Sequence, residues 1–200
     1  MFDLEPSGYS LAMADADVYF YPAFFEAAIA DSLFEDLTQK IRWREDKIKL
    51  FGRLIDQPRR TAWYGDSGCA YSYSGITMQP EDWTPELLLI RHRVEERVGV
   101  VFNSVLLNQY RSERDSVSWH SDDEKELGMN PVIASVSFGA TRRFQFKHKS
   151  TPEKKAALDL THGSFLLMSG TTQQFWLHQI PKSARTIGPR INLTFRTIVS

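Results

Sequence analysis

An α+β fold, a jelly-roll β-sandwich braced by helices, is what this sequence predicts, and three observations point to it. From residue 101 onward the chain reads as short strands punctuated by Gly or Pro, with no helical period between them. Ahead of that region, two segments repeat their apolar residues at helical spacing. At 42% hydrophobic and 12% aromatic, 200 residues suffice for one domain with a sizeable core, which excludes wholesale disorder.

Taken in order, residues 1–46 form an acidic N-terminal extension of net charge −7 against +6 for the remainder. Within it, residues 22–41 read as an amphipathic helix in which Phe25, Ile29, Leu33 and Leu37 recur every four residues. Residues 47–80 are rich in Gly, aromatic and β-branched types and predict hairpins or ordered loops. Residues 81–100 hold a second, bracing helix over 85–98, with Pro85 suited to its first turn and Leu88, Arg91 and Glu95 at helical spacing. Residues 101–200 supply the sandwich, through VFNSVLLNQYR, SVSWHSD, PVIASVSFG, RRFQFKHK, ALDLTHGSFLLMSG, QQFWLHQI and RINLTFRTI. Helices gathered at the front would cover one sheet, and the whole is expected to be a single catalytic domain, 1–200. A lone cysteine, Cys69, excludes a disulfide framework and a Cys-rich zinc module. No apolar run reaches a membrane span, and the first residues lack the basic start of a secretory signal. An intracellular monomer is expected, cytoplasmic in a bacterium or nuclear in a eukaryote.

The last strand carries the most chemistry. Arg190, Asn192, Thr194 and Arg196 share one face, while Ile191, Leu193 and Phe195 share the other. The apolar face belongs in a core, so the polar face looks at solvent or at something polar inside the fold. Six residues of strand put the arginine Cα atoms ~20 Å apart, a span that two inward-leaning side chains and a short dicarboxylate would fill. Arginine suits that task because its planar fork grips carboxylates and keeps its charge. A solvated strand face with surface arginines fits the alternation equally well.

His120 and Asp122, two residues apart on an extended chain, project to the same side and can reach one metal ion. His178, in QQFWLHQI, is the best candidate for a third ligand. Two histidines and a carboxylate form a facial triad that leaves three positions open on six-coordinate Fe(II), enough for a bidentate co-substrate and dioxygen. Isolated HxD pairs are common in ordinary strands. His92, in a charged helix, and His148, in a Lys-flanked loop, read as solvated; His162 reads as a turn residue with a structural hydrogen bond.

The order HxD, distant His, RxNxTxR is far more specific than its parts, and with it the chain resembles the AlkB family of Fe(II)- and 2-oxoglutarate-dependent dioxygenases over residues 47–198. The resemblance implies a double-stranded β-helix, the family's form of the jelly roll, with a β-rich nucleotide-recognition lid. It implies iron at His120, Asp122 and His178, dioxygen as oxidant, and 2-oxoglutarate at Arg190, Asn192 and Arg196, with Asn108 and Tyr110 of LLNQY completing its site. Thr194 lies on the same face; Arg190 is expected at the distal carboxylate and Arg196 nearer the metal. LFG (50–52), YGD (64–66), YSYSG (71–75), HSDDE (120–124), PVIASVSFGA (131–140) and HGS (162–164) bring it nearest to the DNA-repair homologues that prefer duplexes. Alkylated DNA, duplex or single-stranded, or RNA, is then the expected partner, demethylated oxidatively with release of formaldehyde.

A methylated base inside a duplex must be extruded, and an apolar side chain can plug the hole it leaves. Phe51, followed by Gly52 in a segment with Lys47, Lys49, Arg53, Arg59 and Arg60, fits that finger, with the cations meeting phosphates; it also fits an ordinary hairpin core. Tyr71, Tyr73 and Ser74 match the family's substrate lid, which supplies a stacking floor for the base. Asp123 and Glu124 match an acidic pair that faces the base, apt for cationic N1-methyladenine and N3-methylcytosine, although DDEKE also reads as a solvated loop. After the FxFxHK strand the duplex-preferring relatives carry a longer basic loop; here HKSTPEKKAALDL has Lys154 and Lys155 alone at its centre. Two other functions fit parts of the pattern. The same iron centre could hydroxylate a protein or small molecule, and the pocket could recognise lesions without turnover. The full set of iron and co-substrate residues argues against the second.

Overall fold

A computed structural model of the chain describes residues 7–50, 53–69, 71–73 and 76–199. In chain order the elements are β1 (Tyr9–Ser10), β2 (Asp17–Tyr21), α1 (Ala27–Lys40), β3 (Lys47–Leu50), β4 (Arg53–Asp56), β5 (Arg60–Gly65), β6 (Tyr71–Tyr73) and β7 (Ile76–Met78). There follow α2 (Pro85–Val98), β8 (Ser104–Tyr110), β9 (Val117–His120), a 3-10 turn (Lys125–Leu127), β10 (Ile133–Gly139), β11 (Arg142–His148) and β12 (Lys155–Leu160). The chain ends with β13 (Ser164–Ser169), the short α3 (Thr172–Phe175), β14 (Trp176–Ile180) and β15 (Arg190–Arg196).

Two antiparallel sheets result. The larger runs β1-β2-β13-β10-β15-β8-β5 and the smaller β12-β11-β14-β9, while β3–β4 and β6–β7 are separate hairpins. Strand alternation decides what each face meets. On the large sheet, Val105, Leu107, Val136, Phe138, Ile191, Leu193 and Phe195 join one core with Leu33 and Leu37 of α1 and Leu87, Ile90 and Val94 of α2. The other face looks at the small sheet, whose Phe144, Phe146, Leu158, Trp176 and Ile180 share a second core with Ile133, Leu166 and Met168. The central strands are therefore covered on both sides, and the polar residues of β15 lie inside the protein rather than at its surface.

The helices differ from expectation in detail. α1 begins at Ala27 rather than residue 22, because Phe25 donates its backbone N–H to Gly163 and the preceding residues form a turn. Ile29 is 47% exposed, and Ala30 takes its place in the core. α2 has the expected bounds: Thr84 Oγ1 accepts from the Leu87 N–H, Pro85 opens the first turn, and Gly99 ends the helix at φ 72°. Its buried stripe is Leu87, Ile90 and Val94, one residue ahead of Leu88, Arg91 and Glu95. Arg91 and Glu95 instead pair at 2.8 Å along the edge of the stripe. α3 displaces the start of the strand expected from residue 173 to Trp176. β1 and β2 extend the large sheet past β13, so residues 9–21 are built into the sandwich. Among the described residues no helix is long and apolar enough to cross a membrane.

Gly139 sets the far end of β15. Its φ is +87°, and a Cβ there would lie 2.5 Å from the Pro189 carbonyl oxygen and 2.7 Å from Phe34. Gly139 is also the register partner of Arg190 and donates its N–H to His162 Nδ1 at 2.8 Å. Gly139→Ala must shift backbone beside Arg190, and it is expected to destabilise the protein by on the order of 2–4 kcal/mol in urea denaturation.

Candidate metal centre and co-substrate pocket

The metal group is assembled by register. His120 ends β9 and His178 lies mid-way along β14 as its direct partner, so both rings project from the same face of the small sheet. Their centroids are 4.3 Å apart. Asp122 follows two residues beyond the strand, 2% exposed, its N–H held by Gln173 Oε1 at 2.9 Å. The ligand atoms of His120, Asp122 and His178 all lie within 4.8 Å of one another, and among the described residues no other group of three His, Cys, Asp or Glu does so.

Each ligand is held in a metal-binding form. His120 Nδ1 lies 2.8 Å from the Ser118 carbonyl, which can only accept; Nδ1 therefore carries the proton and Nε2 is left as the lone pair. Phe144 stacks on His178 at 5.2 Å. Burial, with His120 adding to it, pushes the His178 imidazole down to about 3, so that ring is neutral at physiological pH. Burial alone would raise the Asp122 carboxyl; the Arg196 guanidinium, with His178 and His120, holds it below the usual range. Arg196 Nη2 donates directly to Asp122 Oδ1. Two imidazoles and one anionic carboxylate are a donor set suited to Fe(II).

A polar row leads away from this group along the inner face of the large sheet. Asn108 and Tyr110 of β8 are the register partners of Asn192 and Arg190 on β15, and Ser137 and Ser135 of β10 are those of Asn192 and Thr194. Arg190 is 1% exposed. Its Nη2 donates to Ser137 Oγ at 2.9 Å and to Asn192 Oδ1 at 2.6 Å. Asn192 also accepts from Ser135 Oγ and donates through Nδ2 to Thr194 Oγ1. Nε and Nη1 of Arg190 are buried with no hydrogen-bond partner, although Tyr110 lies beside the guanidinium, whose carbon is 5.1 Å from the ring centre. Burial lowers this arginine to about 10; Tyr110 opposes the shift and Arg142 reinforces it. Buried cationic donors without acceptors are costly, and a carboxylate of a dicarboxylic acid is the group that would satisfy them. The residues present thus fit both Fe(II) and 2-oxoglutarate.

The remaining expected residues fall in different places. Arg59 is turned inward: its Nε donates to Asn108 Oδ1 at 2.7 Å and its Nη1 to the Ser116 carbonyl at 3.2 Å. Asp123 pairs with Lys149 at 2.9 Å, and Glu124 precedes the 3-10 turn. Tyr71 and Tyr73 lie on β6, paired with Met78 and Ile76 of β7. Phe51, Gly52 and Ser74 are outside the described residues. His92 is exposed and faces Glu96, and His162 holds the expected structural hydrogen bond from Gly139. His148 corrects the expectation of a solvated ring: it is buried, stacked on Phe175, with Nδ1 accepting from the N–H groups of Ser150 and Thr151.

Several contributors were not anticipated. Ser135 and Ser137 line the pocket, and the S-x-S alternation of PVIASVSFG was their only trace in the sequence. Gln173 orients Asp122, and Lys149 bridges Asp123 to the Gln173 carbonyl. Arg142, 1% exposed, lies 5.3 Å from the Tyr110 ring centre on the strength of bonds to the carbonyls of Ser112, Asp115 and Pro181.

The chain is similar to known proteins. The family model described as the 2OG-Fe(II) oxygenase superfamily matches residues 17–196. The chain is 46% identical over 186 residues to the Bos taurus alpha-ketoglutarate-dependent dioxygenase alkB homolog 3, covering 88% of this chain and 64% of that protein. It is 44% identical over 204 residues to the Homo sapiens alkB homolog 3, covering 98% and 68%. With the Mus musculus DNA oxidative demethylase ALKBH2 it shares 41% identity over 189 residues, 90% of this chain and 79% of the relative. The chain therefore spans about two thirds of the length of the alkB homolog 3 proteins it matches. The solved structure of OsALKBH1 has the same fold, with a TM-score of 0.65 over 94% of this chain and 100% of that one at 14% identity.

The His178 environment makes stability pH-dependent. An unfolded imidazole takes a proton near 6.5, whereas the folded one resists down to about 3. The unfolded state binds more protons through that window, so the contribution is full above it and is lost as pH falls. Metal-free protein should lose unfolding free energy as pH falls from about 6.5 to about 3, and His178→Gln should flatten that slope in urea titrations.

Proposed function

The chain belongs to the AlkB family of the 2OG-Fe(II) oxygenase superfamily, and from that premise we propose that it is an oxidative demethylase. Its substrate would be N-alkylated bases of the N1-methyladenine and N3-methylcytosine type in DNA. The observation that carries the reading is the buried Arg190 with two unpartnered donor atoms, on the same face of β15 as Arg196, which bonds Asp122 of the metal group.

In this reading His120, Asp122 and His178 hold Fe(II), and Arg190, Asn192, Thr194, Asn108 and Tyr110 hold 2-oxoglutarate, with Arg196 at its metal end. Bound there, the ferrous ion would couple oxidative decarboxylation of 2-oxoglutarate by dioxygen to hydroxylation of the N-methyl group, which leaves the base as formaldehyde. The chain's own part is positional. Arg190 fixes one end of the diacid through charge-assisted bonds. The Ser118 and Arg196 contacts keep His120 and Asp122 in ligating form, and the aromatic wall of Phe144 and Phe146 excludes water behind His178.

The sheet orders, β12-β11-β14-β9 facing β13-β10-β15-β8, support a double-stranded β-helix. Residues 47–80 would serve as lid and finger, with Phe51 entering the stack and Tyr71, Tyr73 and Ser74 receiving the flipped base beside Asp123 and Glu124. Arg59, bonded to Asn108, would join that lid to the co-substrate pocket. The whole would act as one catalytic unit on an alkylated nucleic acid.

A panel of single- and double-stranded oligonucleotides bearing N1-methyladenine or N3-methylcytosine tests the proposal. Formaldehyde and succinate should appear with methylated strands and Fe(II), and succinate release that ignores methylation would refute a demethylase. His120→Ala should reduce formaldehyde to background while retaining a folded protein by circular dichroism. Arg190→Lys, which keeps the charge and loses the fork, should weaken 2-oxoglutarate binding by on the order of tenfold to a hundredfold in calorimetry.

A further inference from the structure

The last rung of β15 is held from beyond its own end. Ladder pairing with β8 stops where Arg196 faces Ser104, and strand ends of this kind fray because the residues past the last rung lack a main-chain partner. Here the side chain of Asn103, the residue before β8, takes the place of a partner strand. Its Nδ2 donates to the Ile198 carbonyl at 2.9 Å, and its Oδ1 accepts from the Ile198 N–H at 2.7 Å. Its own N–H donates to the Arg196 carbonyl at 3.3 Å. Asparagine is a short side chain that offers a donor and an acceptor side by side, so one residue satisfies both main-chain groups of Ile198.

The Asn103 peptide is fixed from the opposite side as well. Its carbonyl accepts from the Asp66 N–H at 2.8 Å, and the Cys69 thiol lies 3.7 Å from the same oxygen. Past Ile198 the chain is caught again, because the Val199 N–H donates to the Glu126 carbonyl in the 3-10 turn that follows Asp123 and Glu124. Arg196 thus lies between the strand ladder and a segment that Asn103 pins in line with it. The Arg196 guanidinium bonds Asp122, the carboxylate of the metal group. A side chain that reaches across to the other sheet keeps its aim only while its own backbone is held. Fraying of residues 196–198 would let Arg196 swing and would loosen Asp122 with it.

We propose that Asn103 is a positioning residue for the metal centre: by pinning the main chain of Ile198 it holds Arg196, and through Arg196 it holds Asp122 in ligating orientation. This rests on the metal reading of His120, Asp122 and His178 and goes beyond it, since the bonds of Asn103 go to residues outside that triad.

The test reads metal binding rather than turnover. Mn(II), a probe that accepts the same donors and survives air, is titrated into metal-free protein with 2-oxoglutarate, and the unbound ion is followed by electron paramagnetic resonance. Asn103→Ala, which loses both side-chain bonds, should raise the Mn(II) Kd by about fivefold, less than the tenfold or more that removing a ligand's direct partner costs. Asn103→Asp keeps the acceptor for the Ile198 N–H and loses the donor, so it should fall between wild type and Asn103→Ala. Thr197→Val is the control. It removes the bond from Thr197 Oγ1 to the Val101 carbonyl, 2.7 Å, in the same segment, leaves the Ile198 pairing intact, and should keep the wild-type Kd. Melting temperatures separate lost folding from lost affinity. A wild-type Kd in both Asn103 variants would overturn the assignment, as would an equal rise in Thr197→Val, which would trace the effect to the segment as a whole. A second reading needs no metal: the Arg196 Nε–H resonance in proton–nitrogen NMR should be sharp in wild type and Thr197→Val and exchange-broadened in Asn103→Ala, and an unchanged signal there would also overturn it. Failure of wild-type protein to bind Mn(II) would overturn the metal reading alone, since the resonance then decides whether Asn103 holds Arg196.

Discussion

The contact between the Arg196 guanidinium and the Asp122 carboxylate ties the metal group to the large sheet, and most of the site depends on it. Asp122 follows the last residue of a small-sheet strand, whereas Arg196 ends β15 in the large sheet. A carboxylate 2% exposed is too costly to leave uncompensated. Arg196 supplies the opposite charge, and Gln173 receives the backbone N–H that would otherwise be orphaned. The two sheets can therefore be brought together at this end only with the ligand carboxylate in one orientation. The paired imidazoles need no such tether, because strand register alone places His178 opposite His120.

Hydrogen bonding separates two buried arginines beside one ring. Arg142 and Arg190 flank the same tyrosine, each about equally close to its ring, and burial lowers both. Arg142 is satisfied by three carbonyl oxygens from the loops after β8 and β14, so it acts as a clasp for those loops. Arg190 has two acceptors, both on Nη2, and keeps its other donors unspent. The difference marks Arg190 as the receiving group. Arg142 instead supports the Tyr110 wall and adds positive potential to the pocket, which favours a doubly anionic ligand over a neutral one.

Much of this was legible in the sequence wherever a short period carried the information. In RINLTFR the alternation already separated the co-substrate face from the core face, and HxD already put two ligands on one side. What alternation could not say was whether the polar face of β15 met water; that required the small sheet opposite it. Ser135 and Ser137 were invisible for a related reason, since a serine on a strand becomes a pocket residue only through its register with Thr194 and Asn192. The α2 face was misplaced by one residue because the run Leu87-Leu88-Leu89-Ile90 offers an apolar side chain in every direction. Packing against the large sheet decides which direction is buried, with Leu87, Ile90 and Val94 in its core and Glu95 at the edge accepting from the Phe102 N–H. His148 was misread because its lysine neighbours suggested solvent, whereas the aromatic residues that bury it, Phe175 and Trp176, come from another part of the chain.

Charge bookkeeping then connects the pocket to its occupants. With His178 neutral, the guanidinium groups of Arg190 and Arg196 stand against the carboxylate of Asp122, and Arg59 at Asn108 and Arg142 beside Tyr110 add to the positive side. The side chains alone make the lining positive, and a divalent cation at the triad would make it more so. A dianion spanning from Arg190 toward the triad offsets most of that excess, whereas a monoacid leaves one end of the row uncompensated. The same reasoning gives Asp122 its second task. Its charge is shared between Arg196 and the metal position, so it lowers the cost of bringing a cation into a region that the buried Arg190 and the partly buried Arg196 would otherwise make hostile. Selectivity for a diacid and tolerance of a divalent ion are therefore one property of the lining, set by where a single carboxylate sits relative to two arginines on the same strand.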